Sequence, residues 1–140
     1  MSKLLRNTIA VLVGIAIGGS INVAFIILGP SRISPPAGVD VSSAAMQTPH
    51  LVMPFLAHAI GTLAGALTAY LIAASYKVQI AYAIGAIFLC VGLATSFMIP
   101  APTWFVALDL LVAYIPMAWL AIRIGTRMKQ VDDGARKIEV

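Results

Sequence analysis

Residues 51–74 read LVMPFLAHAIGTLAGALTAYLIAA. The run is long enough to cross a bilayer as a helix, which takes about 20 mostly apolar residues. His58 is the only basic residue in it. On a helix His58, Gly61, Thr62 and Gly65 recur at i, i+3, i+4 and i+7, so they share one stripe. A buried polar group and two glycines on one stripe predict a helix that packs against another helix through that face. Period-two alternation is missing, so a strand of a membrane barrel does not fit.

Three more runs have the same character: Ile9–Leu28, Ile80–Ile99 and Trp104–Ile122, the last interrupted by Asp109. Composition agrees with them. Of the 140 residues 61% are hydrophobic and 10% charged, and mean hydropathy is +0.99. A soluble domain carries about 25% charged residues. The expected fold is all-α and integral to a membrane: an antiparallel bundle of four transmembrane helices, with an extracytoplasmic cap loop. The predicted helices cover about 5–28, 51–75, 78–99 and 103–124. Residues 29–50 form the outer loop, residues 1–128 the transmembrane domain, and residues 129–140 a polar, frayed cytoplasmic tail. The first run follows Lys3 and Arg6 as a signal peptide would, but its apolar stretch exceeds the roughly 7–15 residues of such a segment, so an uncleaved anchor is expected.

The charges set the orientation. With the N-terminus in the cytoplasm, Lys3, Arg6, Lys77, Arg123, Arg127, Lys129, Arg136 and Lys137 lie inside, and only Arg32 lies outside. That bias predicts a plasma-membrane protein with both termini cytoplasmic. The net charge of +4 does not indicate nucleic acid, because the basic residues flank apolar runs instead of forming one basic face. The basic tail signals topology or attracts anionic lipid. Cys90 stands alone, which excludes an internal disulfide and dithiol chemistry within this chain.

The outer loop, GPSRISPPAGVDVSSAAMQTPH, holds four prolines and predicts an ordered cap. A short helix is expected from near Asp40 or Ser42, which are good N-caps, to Gln47. Gly14 and Gly18 on the first helix, Gly61 and Gly65 on the second, and Ala86, Cys90 and Ala94 on the third have the small-xxx-small spacing of close helix contacts. Pro116 predicts a kink in the fourth helix. Trp104 and Trp119, and Tyr70, Tyr76 and Tyr82, are expected at the membrane interfaces.

Function should show in the polar residues within spans: Asn22, His58 and Asp109. Counted at a rise of about 1.5 Å per residue, all three lie roughly 8–10 Å below the outer surface. The shared depth predicts a polar centre with a His58–Asp109 contact. Such a centre serves either as structural glue between helices or as a proton or ion path. A metal site would draw on His50, His58 and Asp109, with Asp40 and the thioethers of Met46, Met53 and Met98 nearby. For catalysis the nucleophile is missing, since Ser42, Ser43 and Ser96 sit in no nucleophile motif. The leading expectation is a small transporter or channel-type protein, or a subunit of one. The alternative is a non-catalytic structural or assembly subunit of a larger membrane complex, and the third reading is a membrane enzyme with an outward-facing site. Four short helices enclose little volume, so the lipid bilayer and either a homo-oligomer or a membrane-protein partner are the expected partners. The sequence leaves the question of a cofactor open.

Overall fold

The computed structural model describes residues 2–32 and 48–138. It is helical throughout, with no strand among those residues: α1 Lys3–Arg32, α2 Thr48–Ile72, α3 Lys77–Met98, α4 Thr103–Val112 and α5 Ile115–Ile138. Four helical stretches are long and apolar enough to cross a membrane, the fourth being α4 and α5 taken together. The expected cap, with its short helix, Asp40, Ser42, Ser43 and Met46, lies outside the described residues.

α2 is the centre of the packing. It pairs most extensively with α1 and also contacts α3, α4 and α5, while α1 touches α3 only lightly. The α1–α2 contact is made by the glycines. A Cβ on Gly14 would lie 2.8 Å from the carbonyl oxygen of Gly65, and a Cβ on Gly61 would lie 2.8 Å from that of Gly18. Those distances leave no room for a side chain, so the four glycines let the two backbones touch. Alanines extend the same packing, with Ala66, Ala69, Ala81, Ala118 and Ala121 fully buried around Ile84 and Tyr70.

The third helix packs differently from the sequence expectation. Ala86, Cys90 and Ala94 are exposed. The inward row is Ala81, Ile84 and Gly85, continued by Phe88 against both core clusters. A Cβ on Gly85 would meet Cβ of Ala118 at 2.8 Å. The two rows are one residue apart, about 100° around the helix. Small residues at a spacing of four permit close contact on either row. The bulk of Ile84 and Phe88, which needs burial, selects this one.

The start of α1 is clamped to the end of α2. Asn7 Oδ1 accepts from the backbone N–H groups of Ala74 (2.9 Å) and Ser75 (3.2 Å), and its Nδ2 donates to Ser75 Oγ at 3.0 Å. Arg6 Nε donates to the Ile72 carbonyl at 2.7 Å. Lys77 Nζ donates to the carbonyls of Tyr70 and Ala73. These side chains serve backbone groups that the end of α2 leaves without helical partners. Tyr70, expected at an interface, is buried and hydrogen-bonded to Thr126 at 3.0 Å.

The fourth span is broken. α4 ends at Val112, and α5 starts at Ile115 after a turn at Ala113 and Tyr114. Pro116 has no N–H to give the carbonyl of Val112, and its ring crowds that carbonyl, so the helix breaks there. Two other ends differ from expectation. α1 continues to Arg32, and α5 continues to Ile138 in place of a frayed tail. Lys129, Gln130, Ala135, Arg136 and Lys137 are good helix formers, and they carry a helix already nucleated by packing past the poorer formers Asp132, Asp133 and Gly134.

Candidate functional site

His58 lies one turn before the Gly61–Gly65 contact of α2, and Asp109 lies near the end of α4. Their side chains meet. His58 Nδ1 donates to Asp109 Oδ2 at 2.8 Å and stands 2.9 Å from Oδ1. The tautomer follows from this contact: an ionised carboxylate only accepts, so Nδ1 carries the hydrogen. In the neutral ring Nε2 is then an acceptor, a division of roles set by the bond at the other nitrogen.

Tyr114 completes the pair. Its hydroxyl donates to Asp109 Oδ2 at 3.1 Å, and its ring stacks on the imidazole with centroids 5.8 Å apart. Asp109 is 6% exposed and Tyr114 is 2% exposed. Residues five apart on an unbroken helix point about 140° away from each other. The turn at Ala113–Tyr114 removes that separation, so the break set by Pro116 delivers the phenol to the carboxylate. Gly92 on α3 provides the space, because a Cβ there would collide with the Tyr114 hydroxyl. Sequence reading missed Tyr114. The signal available was an i, i+5 pair just ahead of a mid-span proline.

The group faces a cavity of about 580 Å³ between the helices, within the roughly 300–1,000 Å³ usual for small-molecule sites. Its walls are mostly apolar, including Val23, Ile26, Met53, Ile87, Val91 and Phe105. Asn22, His50, His58, Thr62, Asp109 and Tyr114 are among its polar groups. No Lys or Arg lines it among the described residues. α1 and α3 approach each other at its inner end, where the Phe88 ring packs over Gly18 and Gly65. Beyond that point, wall residues Val23 and Ile26 of α1, Val91 of α3 and Ile99 just past the end of α3 are exposed. The cavity therefore opens sideways between these two helices.

The other sequence candidates divide as follows. Asn22 lines the cavity but is not hydrogen-bonded to His58 or Asp109. His50 and Met53 line it too, whereas Met98 does not. No three His, Cys, Asp or Glu side chains come together to hold a metal among the described residues, so His50, His58 and Asp109 do not form the metal site that the sequence suggested. Ser96 is in the wall with its hydroxyl donated to the Leu93 carbonyl at 2.7 Å. Thr62, which the sequence placed on the His58 stripe, is 1% exposed and its hydroxyl has no hydrogen-bond partner.

Compared with known proteins, the chain matches no protein-family model, no curated protein and no solved structure.

Proposed function

We propose that the chain is a small multi-pass transporter-type membrane protein, or the solute-binding subunit of one, with His58 and Asp109 as its proton- or ion-handling centre. The supporting observation is the cavity: it is mostly apolar and is faced by a hydrogen-bonded His–Asp–Tyr group. A buried ionisable pair facing a cavity within spanning helices is the arrangement that carries substrate or protons in membrane proteins.

Insertion in the bilayer is supported by what the surface exposes. Leu12, Ile27, Val91, Phe97 and Leu111 all project outward, and lipid is the solvent that accommodates them. The helices then alternate in direction, antiparallel to their neighbours in sequence. With eight basic residues inside, both termini lie in the cytoplasm and the cavity belongs to the outer half of the plasma membrane. A competing reading, a non-catalytic structural or assembly subunit, draws on the far face of α1. There Ala16, Gly19, Ser20 and Ala24 line a shallow apolar surface groove, the kind of small-residue face on which a second helix packs.

The test is flux. The protein is reconstituted in liposomes holding a pH dye and challenged with proton gradients, inorganic cations and amphiphilic amines, acids and alcohols. The expected result is a flux that Asp109→Asn and His58→Ala abolish at matched folded amounts and Arg127→Ala preserves. A wild-type protein that moves none of these solutes sinks the carrier reading and favours the subunit.

A further inference from the structure

We infer that the cavity binds a lipophilic primary ammonium ion, its head held by His58, Thr62 and Asn22 and its chain leaving between α1 and α3, in exchange for a proton on His58. The inference rests on the carrier reading for its role, and on the cavity alone for its ligand.

Charge comes first. Asp109 is the one carboxyl group in the wall of a cavity with no Lys or Arg among the described residues, and in its ionised form it gives the site its charge. With His58 neutral the group is negative, and a buried charge left unbalanced is costly. Either a second proton on the imidazole or a cation in the cavity removes the imbalance. The titratable groups facing His58 are Asp109 from α4, Tyr114 from the turn and His50 from its own helix. α1 and α3 present only neutral polar residues there. His58 is therefore the group placed to trade its proton for the cation.

Donors and acceptors come second. A primary ammonium has three N–H donors. The cavity offers three acceptors not used by the protein's own bonds. Nε2 of neutral His58 is free because Nδ1 serves Asp109. The Thr62 hydroxyl, one turn along the same stripe, is buried without a partner. Asn22 comes from α1, with its Cβ 3.3 Å from the place a Cβ would occupy on Gly61. An unpaired buried hydroxyl costs about 1–3 kcal/mol, and a donor entering the cavity relieves it. The apolar walls and the rings of Phe88, Phe105 and Tyr114 suit an alkyl chain and a cation beside aromatic faces.

Protons and charge balance in the exchange. With His58 doubly protonated, Nε2–H is a donor and repels an ammonium. When that proton leaves to solvent, the ammonium keeps its own three and donates one hydrogen bond to Nε2. The net charge of the site is unchanged.

The experiment is calorimetric titration of the full-length protein in neutral phosphatidylcholine nanodiscs, with empty nanodiscs subtracted. Four probes of one chain length are compared: dodecylamine, dodecyltrimethylammonium, dodecanol and dodecanoate. Saturable binding of dodecylamine is expected, at least about tenfold tighter than the trimethylated cation, which has no N–H to donate. Buffers of different ionisation enthalpy should show proton release on binding that grows as pH is lowered and is lost in His58→Ala. Thr62→Val deletes only the unpaired hydroxyl and should keep the fold while weakening dodecylamine about tenfold. Dodecanoate binding as tightly as the amine would overturn the ligand class. Equal binding of all four probes, or wild-type affinity in Thr62→Val, would overturn the head-group site. Because this assay reads equilibrium binding, failure here with liposome flux intact removes the ligand and leaves the carrier. Binding without flux does the reverse.

Discussion

The Tyr114 hydroxyl reaches back across the helix break to Oδ2 of Asp109, 3.1 Å away, while His58 holds the same oxygen at 2.8 Å. One carboxylate oxygen thus ties together α2, α4 and the turn before α5. Hydrogen bonds to a charged group contribute about 1.5–3 kcal/mol. Tyr114→Phe is expected to lower stability by about that amount. The check is equilibrium unfolding in mixed micelles followed by far-UV circular dichroism. No change would mean that the phenol is not coupled to Asp109.

Glycine substitutions test the packing directly. Gly14→Ala places a methyl 2.8 Å from a backbone oxygen of α2 and 2.9 Å from the Ala69 methyl. It should separate α1 from α2 and cost about 1–3 kcal/mol, as overpacking does. Gly19→Ala, one residue past Gly18, has nothing within 4 Å and should be neutral or slightly stabilising. Gly85→Leu should be as damaging as Gly61→Leu, since both push a side chain into a neighbouring helix. Similar melting temperatures for Gly14→Ala and Gly19→Ala would remove the α1–α2 contact from consideration.

The history of these residues shows what a sequence can convey. The spans were legible because a run such as 51–74 has one physical solution, an apolar helix. His58 and Asp109 were legible as partners because counting residues from the span ends gives depth, and a charge at that depth needs a partner. The α3 face was not legible. Ala86, Cys90 and Ala94 satisfy the same spacing rule as Gly85, and only the three-dimensional demand of Ile84 and Phe88 separates them. Tyr114 was hidden for another reason. Helical phase places it away from Asp109, and the correction depends on where the Pro116 break falls, a tertiary detail.

Asn7 offers a test far from the cavity. Its side chain bonds two backbone N–H groups and one hydroxyl in the turn after α2. Asn7→Ala leaves Ala74 and Ser75 without that acceptor and should cost about 1–2 kcal/mol, comparable to loss of a helix cap. Asn7→Asp keeps the acceptor and loses only the bond to Ser75 Oγ, so it should be milder. Proteolytic susceptibility of the 73–76 turn should rise in the same order. If Asn7→Asp proves the more damaging of the two, the acceptor role is wrong.

Orientation is the remaining expectation, and it decides which compartment the cavity serves. In the proposed topology eight of the nine basic residues fall on the side of the 73–76 turn and the two termini, and Arg32 falls opposite. Single-cysteine reporters at Ser2, Ser43 and Val140 are placed in a Cys90→Ala background, Cys90 being the native thiol and exposed. In intact cells an impermeant maleimide should label the Ser43 reporter and spare the other two. After permeabilisation all three should react. The same readout tests the cause as well as the result. Replacing Lys3 and Arg6 with Gln should let a fraction of molecules invert if the N-terminal charges hold the first helix, and Lys77→Gln added to them should increase that fraction. Labelling of the Ser2 or Val140 reporter in intact wild-type-background cells would place the termini outside. The His58–Asp109 cavity would then open to the cytoplasmic leaflet, and any substrate it takes would come from within the cell.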